Sequence, residues 1–237
     1  AGRSRCSRAA TAQAMRQVHV PDSQRQADEG RRRFALEELL HIELGVVRRR
    51  KEWQAAGAAQ ELALPEAVRN GFARSLPFAL TGAQRRAVDE VLRDIGRNVP
   101  MSRLLEGDVG SGKTVVAAMA LLAAVASGYQ GAIMAPTEVL AEQHYRTFCG
   151  LLSGGQDELW RGVFSPDYLE EPLRVTLLRG GLKAADKAAA QDSIARGETG
   201  IAIGTQALIQ EDVSFDRLGL VVVDEQHRYG VEQRAAL

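Results

Sequence analysis

Two kinds of hydrophobic pattern alternate along the chain. In one kind, apolar residues recur every three or four positions, which predicts helices with one buried face. In the other kind, short runs are apolar nearly throughout, which predicts strands that are buried on both faces. Helices are predicted over residues 23–57, 82–95, 114–126, 139–152 and 182–195, and strands over 131–135, 173–178, 200–204 and 218–223. This alternation predicts an α/β fold, a parallel sheet with helices on both faces.

The first helical pattern follows a stretch without periodicity. Residues 1–20 are small and basic, and we expect a tail or the remnant of an upstream domain there. Ser23 and Gln26 have the spacing of a capping box, so a long helix is predicted to begin at this point. The basic clusters at 31–33 and 48–51 are compatible with a solvated face or with phosphate contacts. The apolar stripe of this helix comprises Leu36, Leu39, Leu40, Ile42, Leu44, Val46 and Val47.

Residues 107–114, Gly-Asp-Val-Gly-Ser-Gly-Lys-Thr, have the pattern of a phosphate-binding loop. A glycine-rich turn lets successive backbone N–H groups face phosphate oxygens, and the helix that begins at the lysine adds its positive end. Lys113 is expected to reach the β- and γ-phosphates, and the Thr114 hydroxyl to hold Mg²⁺. Leu104 and Leu105 are predicted to end a buried strand before the loop. The predicted nucleotide contacts in the loop are Gly107, Asp108, Gly110, Ser111, Gly112, Lys113 and Thr114.

Two carboxylates, Asp224 and Glu225, follow the most apolar of the predicted strands. Ligands of an open α/β sheet bind beyond the carboxyl ends of its strands. Asp224 is therefore expected to hold Mg²⁺, and Glu225 to orient and deprotonate an attacking water. Gln84 lies in the first turn of the helix predicted after Thr81, and its amide offers a donor and an acceptor that suit adenine. An exposed helical glutamine without a ligand is the alternative for that residue.

Composition changes this interpretation little. The 237 residues carry 30 Lys and Arg against 30 Asp and Glu, and neutrality neither supports nor excludes nucleic acid because the distribution of charge decides. Cys6 and Cys149 lack metal or redox spacing. No apolar run is long enough to span a bilayer, and no apolar stretch follows the N-terminal arginines as it would in a secretory signal. We expect a cytoplasmic protein with no membrane partner. Residues 153–171 are predicted to be an irregular surface excursion.

The order of four motifs, at residues 80–84, 107–114, 135–138 and 224–227, resembles the first motor domain of superfamily 2 nucleic-acid translocases. The string at 224–234 is similar to that of the RecG family of bacterial branch-migration helicases, as are residues 204–210 and the junction at 18–21. The chain departs from the usual pattern of that family in three residues, Tyr229 in place of Phe, Gln206 in place of His, and Arg179 in place of Thr.

The resemblance implies a RecA-like, ATP-driven motor that acts on branched DNA, reversing stalled forks and moving Holliday junctions. ATP and Mg²⁺ are the implied cofactors, and Lys113, Asp224 and Glu225 the implied catalytic residues. Gln84 would read adenine, and Gln226 and His227 would couple the nucleotide to a neighbouring domain. Contacts to the DNA backbone would come from Pro136, Thr137, Arg179, Gly180 and Thr205.

The same resemblance divides the chain into three parts. Residues 1–22 would be the remnant of a wedge DNA-binding domain, 23–63 a linker helix, and 64–237 the first RecA-like domain. The wedge domain and a second RecA-like domain would be its partners in a nucleoid-associated monomer. Because the arginine finger is expected from the second RecA-like domain, we expect the chain alone to bind ATP with little turnover.

Two other classes of function remain compatible with the residues themselves. A phosphate loop followed by paired carboxylates also occurs in switches and transporter-type ATPases that bind no nucleic acid. The chain could also act as a binding module without catalysis. The motifs at 135–138 and 224–227 favour a DNA motor over the first of these alternatives.

Overall fold

The computed structural model describes residues 8–55, 59–153, 162–210 and 212–225. These residues fall into two compact units, one formed by the first two helices and one by the chain from Ala59 onward. In the part of the chain so described, no helix combines the length and apolar character needed to cross a membrane. The predicted boundaries at 22–23 and 63–64 stay predictions, although Leu62 packs in the core of the second unit.

The first unit contains α1 (Arg8–His19) and α2 (Gln24–Ala55). Residues 8–19, where a tail or the remnant of an upstream domain is expected, form α1, which packs against α2. Small residues make this contact: a Cβ atom at Gly30 would lie 2.9 Å from the carbonyl oxygen of Ala14. A helix that packs through alanine and glycine leaves little hydrophobic periodicity to detect. The predicted helix start is confirmed, with the backbone N–H of Gln26 donating to Ser23 Oγ at 3.3 Å.

The apolar stripe of α2 is not buried within its own unit. Its seven large side chains, from Leu36 to Val47, are between 47% and 63% exposed. The two helices differ in length, with 12 residues in α1 and 32 in α2. At about 1.5 Å per residue, α1 covers roughly 18 Å of a helix that is about 48 Å long. The expectation of a buried face therefore fails for this part of α2.

The second unit is an α/β sheet domain. Its helices are α3 (Glu66–Ser75), α4 (Gly82–Ile95), α5 (Lys113–Ala126), α6 (Glu138–Leu152) and α7 (Ala184–Ala195). Its strands are β1 (Gln130–Met134), β2 (Val163–Phe164), β3 (Leu173–Leu178), β4 (Ile201–Gly204) and β5 (Leu218–Val223), with a short 3₁₀ turn at Gln206–Ile209. The strand order is β2-β3-β4-β1-β5, and only β2 is antiparallel to its neighbour. The predicted RecA-like parallel sheet is confirmed.

Helices cover both faces of this sheet, as predicted. Neighbouring residues of β4 point to opposite faces. Ile201 and Ile203 join the large core cluster that contains residues of α4, α5 and α6, whereas Ala202 packs with Ile194 of α7 and Leu208. The two faces are filled unequally, because most of the fully buried large side chains lie in the first cluster.

Two details of the second unit differ from expectation. Leu104 and Leu105 form no strand, and Leu104 is 71% exposed. Within the described residues, the segment does not pair with β5, the last strand of the sheet. It is tied to α4 instead, through Arg103 Nη1 to Glu90 at 2.9 Å and Arg103 Nε to Asp94 at 2.9 Å. The predicted excursion is irregular over most of its described part, except that the two residues of β2 pair with β3.

Candidate nucleotide site

The topology brings the start of α5 to the carboxyl end of the parallel strands. Helix α5 packs against β1 and β5, and a short turn through Gly128, at φ +77°, joins it to β1. The helix has 14 residues and the strand five, which corresponds to lengths of about 21 Å and 16 Å. Because the chain reverses between them, the first turn of α5 lies at the edge where β1 and β5 end. The phosphate loop and Asp224 therefore share one edge of the sheet.

The phosphate loop has the backbone that its glycines predict. Gly110 and Gly112 have φ values of +80° and +81°, a left-handed conformation that side chains with a Cβ atom rarely adopt. The backbone N–H of Ser111 donates to the carbonyl of Asp108 at 3.1 Å, and α5 follows at once. A Cβ atom at Gly107 would lie 2.7 Å from Ser111 Oγ. The loop is exposed to solvent, so a nucleotide has access to it.

Lys113 is hydrogen-bonded to the backbone of the phosphate loop. Its Nζ donates to the carbonyl oxygens of Gly107 at 2.7 Å and Asp108 at 3.0 Å. These two carbonyl oxygens accept the hydrogen bonds of Lys113 that phosphate oxygens are expected to accept when a nucleotide binds. A bound phosphate would compete with them for the ammonium group, because charge-assisted bonds to an anion are stronger than bonds to neutral carbonyls.

Gln84 connects α4 to the phosphate loop. Its Oε1 accepts the backbone N–H of Thr81 at 2.8 Å, its own N–H donates to Thr81 Oγ1 at 3.2 Å, and its Nε2 donates to the Ser111 carbonyl at 2.8 Å. A Cβ atom at Gly112 would collide with this amide nitrogen. One amide hydrogen remains for a base, so adenine recognition by Gln84 stays a prediction. The sequence shows the cap but not the contact with the loop.

Asp224 continues the pairing of β5 with β1, since its backbone N–H donates to the Met134 carbonyl at 2.9 Å. Its side chain is 34% exposed and its Oδ2 lies 2.8 Å from Nε2 of His144 on α6. Glu225 follows with φ +51°, an uncommon conformation for a residue with a side chain, of the kind that concentrates at functional sites. The roles assigned to both carboxylates remain predictions.

The residues at this edge fit Mg²⁺ bound together with ATP. The described residues contain no group of three or more His, Cys, Asp and Glu that could hold a metal. Mg²⁺ in nucleotide sites needs no such cage, because it keeps water and phosphate ligands and takes only one or two from the protein. Thr114, half-buried in the first turn of α5, and Asp224, at the end of β5, offer oxygen ligands of the right kind.

The candidate DNA contacts lie on loops that follow other strands of the same sheet. Thr137 and Thr205 use their hydroxyls as helix caps, to Leu140 N–H at 3.3 Å and Ala207 N–H at 3.5 Å. Pro136 lies between β1 and α6, and Gly180 beyond β3. These positions agree with a shared surface, whereas Gln226, His227 and Tyr229 lie outside the described residues.

Arg179 is held by acidic side chains of α6. Its Nη1 lies 3.5 Å from Glu142 and 3.9 Å from Glu138. Glu138 also accepts the backbone N–H of Gly181 at 2.9 Å, and a Cβ atom at Gly180 or Gly181 would crowd its carboxylate. The guanidinium is therefore partly neutralised, and any phosphate contact there has to compete with two carboxylates.

Comparison with known proteins agrees with this geometry. Residues 81–237 match the DEAD/DEAH box helicase family, and the chain belongs to that family. Among individual proteins, it is similar to the ATP-dependent DNA helicase RecG, with 43% identity to the protein of Synechocystis and 43% to that of Escherichia coli K12. These alignments cover 94% and 95% of this chain but only 25% and 31% of the relatives.

A solved structure of RecG bound to a three-way DNA junction superposes with a TM-score of 0.76 at 39% identity. The superposition covers 92% of this chain and 27% of that one. The resemblance to RecG that the motifs indicated is thereby confirmed. The chain spans about a quarter to a third of the length of these relatives.

Proposed function

We propose that the chain is the ATP-binding motor part of a DNA translocase that remodels branched DNA by fork reversal and Holliday-junction migration. The observation that carries this proposal is the shared edge of the sheet. The phosphate loop and Asp224 lie there. The turn between β1 and α6 and the turn after β3 lie at the same edge. A nucleotide and a DNA backbone bound at one edge can influence each other through short helices and strands.

On the nucleotide side, Lys113 exchanges its bonds to the Gly107 and Asp108 carbonyls for bonds to phosphate oxygens. The N–H groups at the start of α5 receive the same phosphates, with the helix dipole in support. Thr114 and Asp224 would hold Mg²⁺, which would supply positive charge to offset that of the phosphates. Glu225 orients the attacking water and takes its proton.

On the DNA side, the chain offers backbone contacts rather than base readout. Some of its basic groups form ion pairs within α2, as in Arg33 with Glu37 at 3.3 Å and Arg48 with Glu52 at 2.7 Å. Phosphate contacts give affinity that falls steeply with salt and carries little sequence information. The support for branched DNA comes from the related RecG that was solved with a three-way junction.

The proposal is tested by two titrations of the 237-residue chain. Calorimetry should show Mg-ATP binding with one site. Fluorescence anisotropy should show weak binding of a labelled three-way junction that declines with salt and is tightened or loosened by a non-hydrolysable ATP analogue. A chain that binds no Mg-ATP would refute the motor assignment. Mg-ATP binding with no junction affinity at low salt would favour a phosphate-loop ATPase without nucleic acid.

A further inference from the structure

His144 makes a contact with the candidate site that none of the recognised motifs includes. It lies on α6, and its Nε2 is 2.8 Å from Oδ2 of Asp224, a residue 80 positions away in sequence. The two side chains are 22% and 34% exposed, so the bond is only partly open to water. A bond with this geometry fixes the orientation of a carboxylate that otherwise rotates about its side chain.

The direction of the bond follows from the chemistry of its partners. An ionised carboxylate only accepts hydrogen bonds, so the N–H group of this bond is on Nε2 of His144 and the acceptor is Oδ2 of Asp224. The bond uses one of the two oxygens of Asp224. Carboxylates that ligate metals in proteins are commonly held by such an outer hydrogen bond, and its loss typically weakens metal binding about 10- to 100-fold.

The bond does not simply join two elements that already pack together. Helix α6 packs mainly against β3 and β4, whereas Asp224 follows β5 at the far end of the strand order. Between β4 and β5 lies β1, which places the two strands about 10 Å apart. His144 therefore reaches across the carboxyl edge of the sheet, towards the place where the phosphate loop lies.

We propose that His144 is a positioning residue that holds Asp224 in the orientation needed to bind Mg²⁺ with the nucleotide. This inference rests on the proposed function, because it assumes that Asp224 serves a metal. It adds a residue from α6 to the nucleotide site. The same helix is capped by Thr137 and begins at Glu138, which accepts the backbone N–H of Gly181 in the turn after β3.

The test compares nucleotide affinity with and without the metal. The dissociation constant of a fluorescent ATP analogue is measured in saturating Mg²⁺ and in EDTA. The metal coupling is the value in EDTA divided by the value in Mg²⁺. His144→Asn, whose amide is too short to reach Asp224, should lower this ratio about 10-fold and leave the EDTA value unchanged. His144→Gln places an amide N–H near the position of Nε2 and should restore most of the ratio.

Gln143→Ala, an exposed neighbour on the same helix, is the matched control and should change neither value. Thermal unfolding shows whether each variant keeps the fold. His144→Asn and His144→Gln both replace the imidazole ring by an amide, so a difference between them reports the reach of that amide and not the loss of the ring. Equal metal coupling in wild type, His144→Asn and His144→Gln would overturn the inference while leaving the proposed function intact. Loss of nucleotide binding by the wild-type chain in both conditions would overturn both.

Discussion

The two halves of the candidate nucleotide site differ in how they are held. In the phosphate loop, Lys113 and Ser111 are bonded to groups of the loop and to Gln84, and these bonds occupy atoms that a phosphate or base would use. At the acidic half, Asp224 is anchored by its backbone to β1 and by its side chain to His144. The first half has to exchange hydrogen bonds when a ligand arrives, whereas the second half is already oriented.

This difference has a physical origin. The loop is built from glycines that allow several backbone conformations, so only local bonds fix its shape. Asp224 follows β5, and its own backbone continues the pairing of that strand with β1. We therefore expect the phosphate loop to determine which ligand binds. We expect Asp224 to determine how strongly that binding depends on metal.

The largest effect is expected from removing the cation of the loop. Lys113→Ala should weaken Mg-ATP binding at least about 100-fold, since bonds to a charged partner are worth roughly 1.5–3 kcal/mol each and two are lost. Calorimetric titration measures the change. Lys183→Ala, a lysine beyond β3, is the control and should bind Mg-ATP as the wild type does. Unchanged affinity of Lys113→Ala would show that the loop is not the phosphate site.

The acidic half should respond differently. Asp224→Asn should lower the metal coupling of ATP binding by about 10-fold or more while leaving binding in EDTA nearly unchanged. Glu225→Gln should keep the coupling, because a residue that acts on the water is not needed to hold the metal. The same paired titration in Mg²⁺ and EDTA measures both variants. If the two substitutions have equal effects on coupling, the separate roles of these carboxylates are wrong.

A smaller effect is expected where the loop meets α4. Gln84→Ala removes half of a capping box, which is worth about 1 kcal/mol, and should lower the melting temperature by roughly 2–4 °C. Gln84→Glu keeps the acceptor for Thr81 N–H but cannot donate to Ser111, so it should retain most of the stability. Both variants should lose preference for ATP over GTP. A preserved preference in both would exclude Gln84 from base recognition.

The smallest effect concerns DNA. Glu142→Gln weakens the hold on Arg179 and should tighten binding of a three-way junction at low salt by about two- to fivefold. Arg179→Ala should weaken binding and reduce the salt slope by about one. Anisotropy titrations across salt concentrations provide both values. Junction binding that is indifferent to both substitutions would remove Arg179 from the DNA surface.

The sequence predicted the strands and helices that have strong apolar patterns and clear caps. The bounds of α4, β3 and β5 agree with prediction, because Thr81 caps the helix and each strand is bounded by a proline or by charged residues. The phosphate loop and the pair of carboxylates were recognised because the residues that define each of them are contiguous in the sequence.

The rest depended on contacts that no local pattern reveals. The strand expected at Leu104 and Leu105 is absent because Arg103 ties the exposed segment to Glu90 and Asp94 of α4, and β5 has only β1 as a neighbour in the described sheet. The packing of α1 was missed because Ala14 and Gly30 carry almost no hydrophobic signal. His144 was missed because it is one histidine in an amphipathic helix, and only the folded sheet brings it to Asp224.

Hydrogen exchange of the chain with and without Mg-ATP tests most directly whether the phosphate loop rearranges beside a fixed carboxylate. Amides that open locally exchange faster than those in the core, so protection reports which half of the site reorganises. We expect strong new protection of the amides from Gly110 to Thr114 and little change in β5 up to Asp224. Protection confined to β5, or no change in the loop at saturating Mg-ATP, would contradict the assignment of this edge as a nucleotide site with a rearranging phosphate loop and a fixed carboxylate.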